Sequence, residues 1–128
     1  MKSKTMKTIS DLNLDWPVKK YSFKEFKICL EECNPKINFD KYKIKDGNYL
    51  FAVDVLKEKV NFKQFEELSD WYETEIIKIN ARNSSLLKFL FQLNNKLDKF
   101  LEKRADWHIF VEKIQLISSN MFLISLGS

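Results

Sequence analysis

The feature that most constrains the fold is a regular spacing of apolar residues from Leu86 to Trp107. Apolar positions alternate steps of four and three there, the spacing of one buried helical face. A helix is therefore predicted over this range, and further apolar residues on its other sides predict more than one neighbour. The buried face is predicted to comprise Leu86, Leu90, Leu93, Leu97, Phe100 and Trp107, interrupted only by Arg104.

The preceding stretch, from Asn61 to Ile79, has a similar period. Asn61 and Gln64 are spaced as a capping box at a helix start. The polar run from Asn80 to Ser85 contains poor helix formers, which predicts a break and an antiparallel helical hairpin. One kinked helix is the alternative, because neither Gly nor Pro forces the chain to stop there. The buried face of this first helix is predicted to comprise Phe62, Phe65, Leu68, Tyr72, Ile76 and Ile79.

Upstream, the apolar period changes to two, which is typical of β-strands. The dipeptide Asp46-Gly47 separates two such runs and is a strong signal for a two-residue hairpin turn. This turn would place Ile44 opposite Tyr49 and Tyr42 opposite Phe51, with both pairs on one face of a hairpin.

Two further elements flank these regions. Ser22 and Glu25 are spaced as a capping box, which predicts a short helix ending at Asn34-Pro35. After Trp107 the β-branched content favours a second hairpin, with its turn at Ser118-Ser119-Asn120. A helical face through residues 107–117 is the alternative.

The predicted fold class is α+β: two β-hairpins form a small antiparallel sheet packed on a central helical hairpin, with one short N-terminal helix. Residues 1–128 are expected to form a single domain, with residues 1–15 as a frayed basic tail containing Lys2, Lys4 and Lys7. No apolar run approaches the roughly 20 residues that a membrane span needs, and no secretory signal is recognised. A cytoplasmic location is therefore expected.

Candidate chemistry is sparse. Cys29 and Cys33 lack the further ligands of a zinc site, and a Cys–His pair with His108 has no recognisable supporting groups. Asp54 is spaced incorrectly from Lys57 for a strand-borne nuclease motif. Only two glycines are present, which excludes phosphate-binding loops. No catalytic residue, metal site or cofactor is predicted.

The sequence instead predicts a non-enzymatic module that binds a macromolecule, of the inhibitor, immunity or adaptor kind. A protein partner is favoured, and a homo-oligomer or a structural, self-assembling subunit is an alternative. A further alternative is nucleic-acid binding by the basic tail and the lysines of the second long helix. The candidate binding residues are Lys88, Gln92, Lys96, Lys99, Lys103 and Trp16, the last either holding the tail to the body or contacting a partner.

Overall fold

The computed structural model describes residues 13–53, 76–104, 109–118 and 120–127, without the side chains of residues 103 and 104. These ranges contain seven strands, two α-helices and one 3₁₀ turn at Phe39–Lys41. The elements in chain order are β1 (Trp16–Pro17), α1 (Phe23–Cys33), β2 (Lys43–Ile44), β3 (Gly47–Val53), β4 (Ile76–Ala81), β5 (Ser84–Ser85), α2 (Leu86–Arg104), β6 (Phe110–Ser118) and β7 (Met121–Gly127).

Five of the strands form a mixed sheet in the order β1-β6-β7-β3-β4. The pairing of β3 with β7 is parallel, with Phe51 beside Phe122, whereas all other neighbours are antiparallel. The short strands β2 and β5 form a separate antiparallel pair. One hydrophobic core joins the inner face of the sheet to both helices. Ala52 and Leu123 form a smaller cluster, on the opposite face because side chains alternate along a strand.

Helix α2 lies between the sheet and α1. Phe89 faces the sheet, with its ring centroid 5.5 Å from that of Tyr49 and 5.8 Å from that of Phe51. Phe91 contacts α1, with its ring 5.4 Å from Phe23 and 5.7 Å from Phe26. The apolar residues that widen α2 beyond one face therefore contact two different neighbours, as predicted.

The predicted first hairpin is wrong, although β3 is a strand. Ile44 pairs with Ser84 and Tyr49 pairs with Ile79, so the two sides of Asp46-Gly47 have different partners. The physical reason is the burial of β3, whose residues Phe51–Val53 are all fully buried between two neighbouring strands. A hairpin with β2 would not have supplied the two neighbours that such an apolar run requires.

The predicted helical hairpin is also wrong. Residues 76–81 form an edge strand of the described sheet, in which Ile77 and Ile79 are buried while Ile76 is 41% exposed. The assignment failed because Ile76 and Ile79 fit a helical spacing by themselves, but the full run alternates with a period of two. The remainder of the predicted first helix, residues 61–75, lies outside the described residues. The predicted small antiparallel sheet on a helical hairpin is thus replaced by a mixed sheet with α1 and α2.

Other local predictions are confirmed. Helix α1 has the capping box, with Ser22 Oγ accepting from Glu25 N and Glu25 Oε1 accepting from Ser22 N. Strands β6 and β7 form the predicted second hairpin. The break near Asn83 is present, and Ser85 Oγ accepts a hydrogen bond from Lys88 N at the start of α2. The five predicted inner-face residues from Leu86 to Phe100 are all buried.

Candidate binding surface

The exposed side of α2 carries a line of basic and polar residues, here termed the lysine row. Lys88, Gln92, Lys96 and Lys99 are all exposed, and they follow one another at helical steps of four, four and three. Lys103 continues the line within α2, but its side chain lies outside the description. The row exists because the opposite face of the helix is buried against the sheet, so tertiary packing fixes which side reaches the solvent.

The orientation of α2 is fixed by a buried polar residue next to its apolar face. Asn94 is fully buried, and its Oδ1 accepts a hydrogen bond of 3.1 Å from Trp16 Nε1. Its Nδ2 donates to the carbonyl oxygen of Lys19 at 2.9 Å. Because buried polar groups are costly when unpaired, these two bonds disfavour rotation of α2 about its axis. The lysine row is therefore presented in a defined direction.

Acidic residues beside the row compensate only part of its charge. Glu102 forms a 3.0 Å ion pair with Lys20, and both side chains are largely exposed. The hydrogen bond and charge of Glu102, together with the charge of Asp98, raise the pKa of Lys20. An exposed pair of this kind contributes little to stability. The ion pair does direct the Glu102 carboxylate towards Lys20. Glu102 therefore does not neutralise the lysines of the lysine row.

More cations lie near the first turn of α2. Strand β2 pairs Lys43 with Ser85, directly before the helix, and the side chains of Lys41, Lys43 and Lys45 are exposed. The first turn of α2 contains no acidic residue. The positive end of the helix dipole adds to the field of these lysines. The sequence did not indicate this grouping, because it depends on pairing between β2 and β5.

Trp16, which was a candidate binding residue, lies in the core. It is fully buried and packs edge-to-face against Phe26, with ring centroids 5.9 Å apart. This placement agrees with the prediction that Trp16 holds the N-terminal region to the body. Leu14 is likewise buried, so the chain is already packed at that point in the predicted tail. Residues 1–12, which include the basic tail, lie outside the described residues.

Large aromatic side chains can stack on nucleic-acid bases, and the candidates in this chain are Trp16, Tyr21, Trp71 and Tyr72. The two that the structure describes are unsuited to that role. Trp16 is buried, and Tyr21 is half-buried with its hydroxyl donating to the Pro17 carbonyl at 2.6 Å. Trp71 and Tyr72 lie outside the described residues. The structure thus supplies cations for a phosphate backbone, and the aromatic side chain exposed near α2 is Phe23, which is 40% exposed and packs edge-to-face against Phe91.

The considered catalytic residues are not brought together in the described structure. Asp54, Lys57 and His108 lie outside the described ranges. Cys29 and Cys33 are free thiols of intermediate burial on α1. Burial raises the pKa of Cys33 to about 11. Within the ranges that the structure describes, no group of three or more His, Cys, Asp or Glu side chains could hold a metal ion.

A homo-oligomer stays a prediction, but three residues that widen the apolar surface of α2 are covered without a second chain. Leu87, Phe89 and Leu101 are buried within the chain itself. Among the helices in the described ranges, none combines the length and the hydropathy that crossing a bilayer would require.

No protein-family model, curated protein sequence or solved structure matches this chain.

Proposed function

We propose that this protein is a non-enzymatic binding module that docks the outer face of α2 onto an acidic surface of a protein partner. The observation that carries this proposal is the exposure of Lys88, Gln92, Lys96 and Lys99 above a fully buried helical face. A rigid helix with a basic outer face suits surface docking, because complementary charge steers the encounter and fixes the register of the partner. Inhibitors, immunity proteins and adaptors can all act by docking one surface onto a partner. The proposed location of this protein is the cytoplasm.

Cys33, one of the residues considered for catalysis, is not activated as a nucleophile, which is consistent with a binding role. Burial keeps Cys33 protonated at neutral pH, and a neutral thiol is a poor nucleophile. The proposal therefore requires only an interface and no reacting group.

Nucleic-acid binding is the second candidate, favoured by Lys41, Lys43 and Lys45 near the first turn of α2. A protein partner is preferred because Asp98 lies beside the lysine row. A protein surface can provide cations opposite this carboxylate, whereas a phosphate backbone is uniformly negative.

The test compares two variants of equal net charge. One replaces Lys88, Lys96 and Lys99 with Glu, and the other makes the same replacement at three exposed lysines away from the row, Lys24, Lys36 and Lys113. Each variant is used to capture proteins from nuclease-treated host lysate. A specific partner that the wild type and the control variant retain, and the row variant loses, is the expected result, to be repeated with the purified partner.

Two results would contradict the proposal. Equal retention by the row variant would exclude the lysine row as the interface. A complex that nuclease destroys, or whose affinity falls with salt in proportion to the phosphates neutralised, would favour nucleic acid. Fluorescence anisotropy with random-sequence duplex DNA and single-stranded RNA measures that second outcome directly.

A further inference from the structure

The only two cysteines of the chain form a cluster with Tyr21 on one side of α1. Cys29 and Cys33 are one helical turn apart, and both are partly accessible. Tyr21 Oη lies 3.3 Å from Cys29 Sγ and donates to the Pro17 carbonyl oxygen at 2.6 Å. Since the phenol hydrogen is used on Pro17, the Cys29 thiol is the donor towards Tyr21. Cys33 follows one helical turn after Cys29, on the same side of α1, so two thiols and one phenol oxygen share this side of the helix.

The intact helix opposes a disulfide between these thiols. Residues four apart on a helix have Cβ atoms about 5–6 Å apart. A disulfide needs a Cβ–Cβ separation of about 3.5–4.5 Å. Joining the sulfurs directly would therefore distort α1, so the pair remains a dithiol while the helix is folded.

The raised pKa of Cys33 narrows the chemistry further. Burial raises the pKa of Cys33 to about 11, with the neighbouring Cys29 and the charges of Asp15 and Glu32 acting in the same direction. Neutral thiols react slowly with peroxides, because the thiolate is the nucleophile. Condensation with a trivalent arsenic oxide or hydroxide needs no net deprotonation of the thiol. Each thiol proton leaves with an arsenic-bound oxygen as water.

We propose that Cys29 and Cys33 form a dithiol site for a trivalent arsenical. With an organic arsenic oxide, two As–S bonds form, the arsenic–oxygen double bond breaks, and the two thiol protons leave with that oxygen as one water molecule. Arsenic stays trivalent, so the step needs no oxidant or reductant. Soft sulfur ligands suit this element. A pyramidal arsenic atom can span two thiols at positions i and i+4 of one helical face, with Tyr21 Oη 3.3 Å from the Cys29 sulfur. This site is independent of the lysine row.

The test uses phenylarsine oxide on the folded full-length chain in a large excess of glutathione. Intact mass measurement is expected to show one phenylarsenic group per chain, and a thiol reagent should find both cysteines blocked. Circular dichroism should retain the helical signal, and the urea midpoint should rise because the ligand binds the folded state. Cys29→Ser and Cys33→Ser should each lose retention against glutathione by more than an order of magnitude.

A matched control keeps two thiols but changes their geometry. The double variant Cys33→Ser with Glu31→Cys places the second thiol at an exposed position two residues from Cys29, on a different side of the helix. It should fail to retain the arsenical. Retention equal to that of the wild type, either by this variant or by the single-serine variants, would overturn the proposal. Loss of the helical signal on binding would also overturn it, because any unfolded dithiol can bind arsenic.

Discussion

The indole Nε1 of Trp16 donates a 3.1 Å hydrogen bond to Oδ1 of Asn94, 78 residues further along the chain. Both side chains are fully buried. Asn94 also donates from Nδ2 to the Lys19 carbonyl oxygen, so one side chain connects the N-terminal strand, the segment after it and α2. A buried network of this kind specifies one arrangement of the elements when all its members are paired.

Replacing Asn94 with Leu is expected to destabilise the fold despite the added apolar surface. The change leaves the Trp16 indole N–H and the Lys19 carbonyl without their partner. An unpaired buried group of this kind costs about 1–3 kcal/mol in free energy of unfolding. Urea unfolding followed by tryptophan fluorescence measures the change. Asn95→Ala, at the exposed neighbouring position, is the control and should remain within about 0.5 kcal/mol of the wild type. Equal stability of the two variants would show that the bond to Trp16 contributes nothing.

Gly47 is expected to resist substitution for a purely conformational reason. Its φ is +154°, and an added Cβ would meet no atom within 4 Å. Gly47→Ala should therefore cost about 1–3 kcal/mol through backbone strain, since this region is nearly restricted to glycine. Thermal and urea unfolding measure the loss, with exposed Lys45→Ala as the control. A Gly47→Ala protein as stable as the wild type would contradict the strained conformation.

The two faces of α2 should separate stability from binding. Leu90 is fully buried in the core, so Leu90→Ala should lower the free energy of unfolding by about 2–5 kcal/mol. Lys96→Ala, on the exposed side, should change it by less than about 0.5 kcal/mol while weakening the proposed partner complex. Unfolding titrations and binding measurements on the same preparations distinguish these effects. A large loss of stability in Lys96→Ala would mean that the lysine row is structural.

The capping box of α1 should contribute to stability in a pH-dependent way. Hydrogen bonds from the backbone and side chain of Ser22 lower the pKa of Glu25 below the ordinary value of a glutamate carboxyl group. Because the folded pKa lies below the unfolded one, the contribution is present above the unfolded pKa and is lost as the pH falls through the folded pKa. The stability difference between the wild type and Glu25→Gln should therefore shrink as the pH falls from about 7 to about 3.

A second variant separates the cap from the charge. Ser22→Ala removes the hydroxyl that accepts from Glu25 N, and it should cost about 1 kcal/mol near neutral pH. Helical content by circular dichroism provides a second measurement. A difference between the wild type and Glu25→Gln that stays constant across the acid range would exclude a role for Glu25 ionisation.

Short-range patterns in the sequence determined several elements. The steps of four and three predicted the buried face of α2, and the same periodicity placed the lysine row on its opposite side. Ser22 and Glu25 predicted the start of α1, since capping is satisfied within one helical turn. The hairpin of β6 and β7 followed from two adjacent β-branched runs. In each case the pattern lies within one helix or two adjacent strands, so the spacing of neighbouring residues carries the information.

Tertiary structure decided the partners of β3 and the nature of residues 76–81. The Asp46-Gly47 signal describes one local reversal, but β3 gains more burial between β4 and β7 than a hairpin with β2 would give it. Ile76–Ala81 fits two periods over so short a length, and pairing with β3 selects the strand. The pairing of β2 with β5 brings Lys43 to the start of α2, and the pairing of β1 with β6 holds Trp16 in the core beside Asn94. A strand period states which side chains share a face, whereas the choice of neighbours depends on the total apolar surface that competing pairings bury.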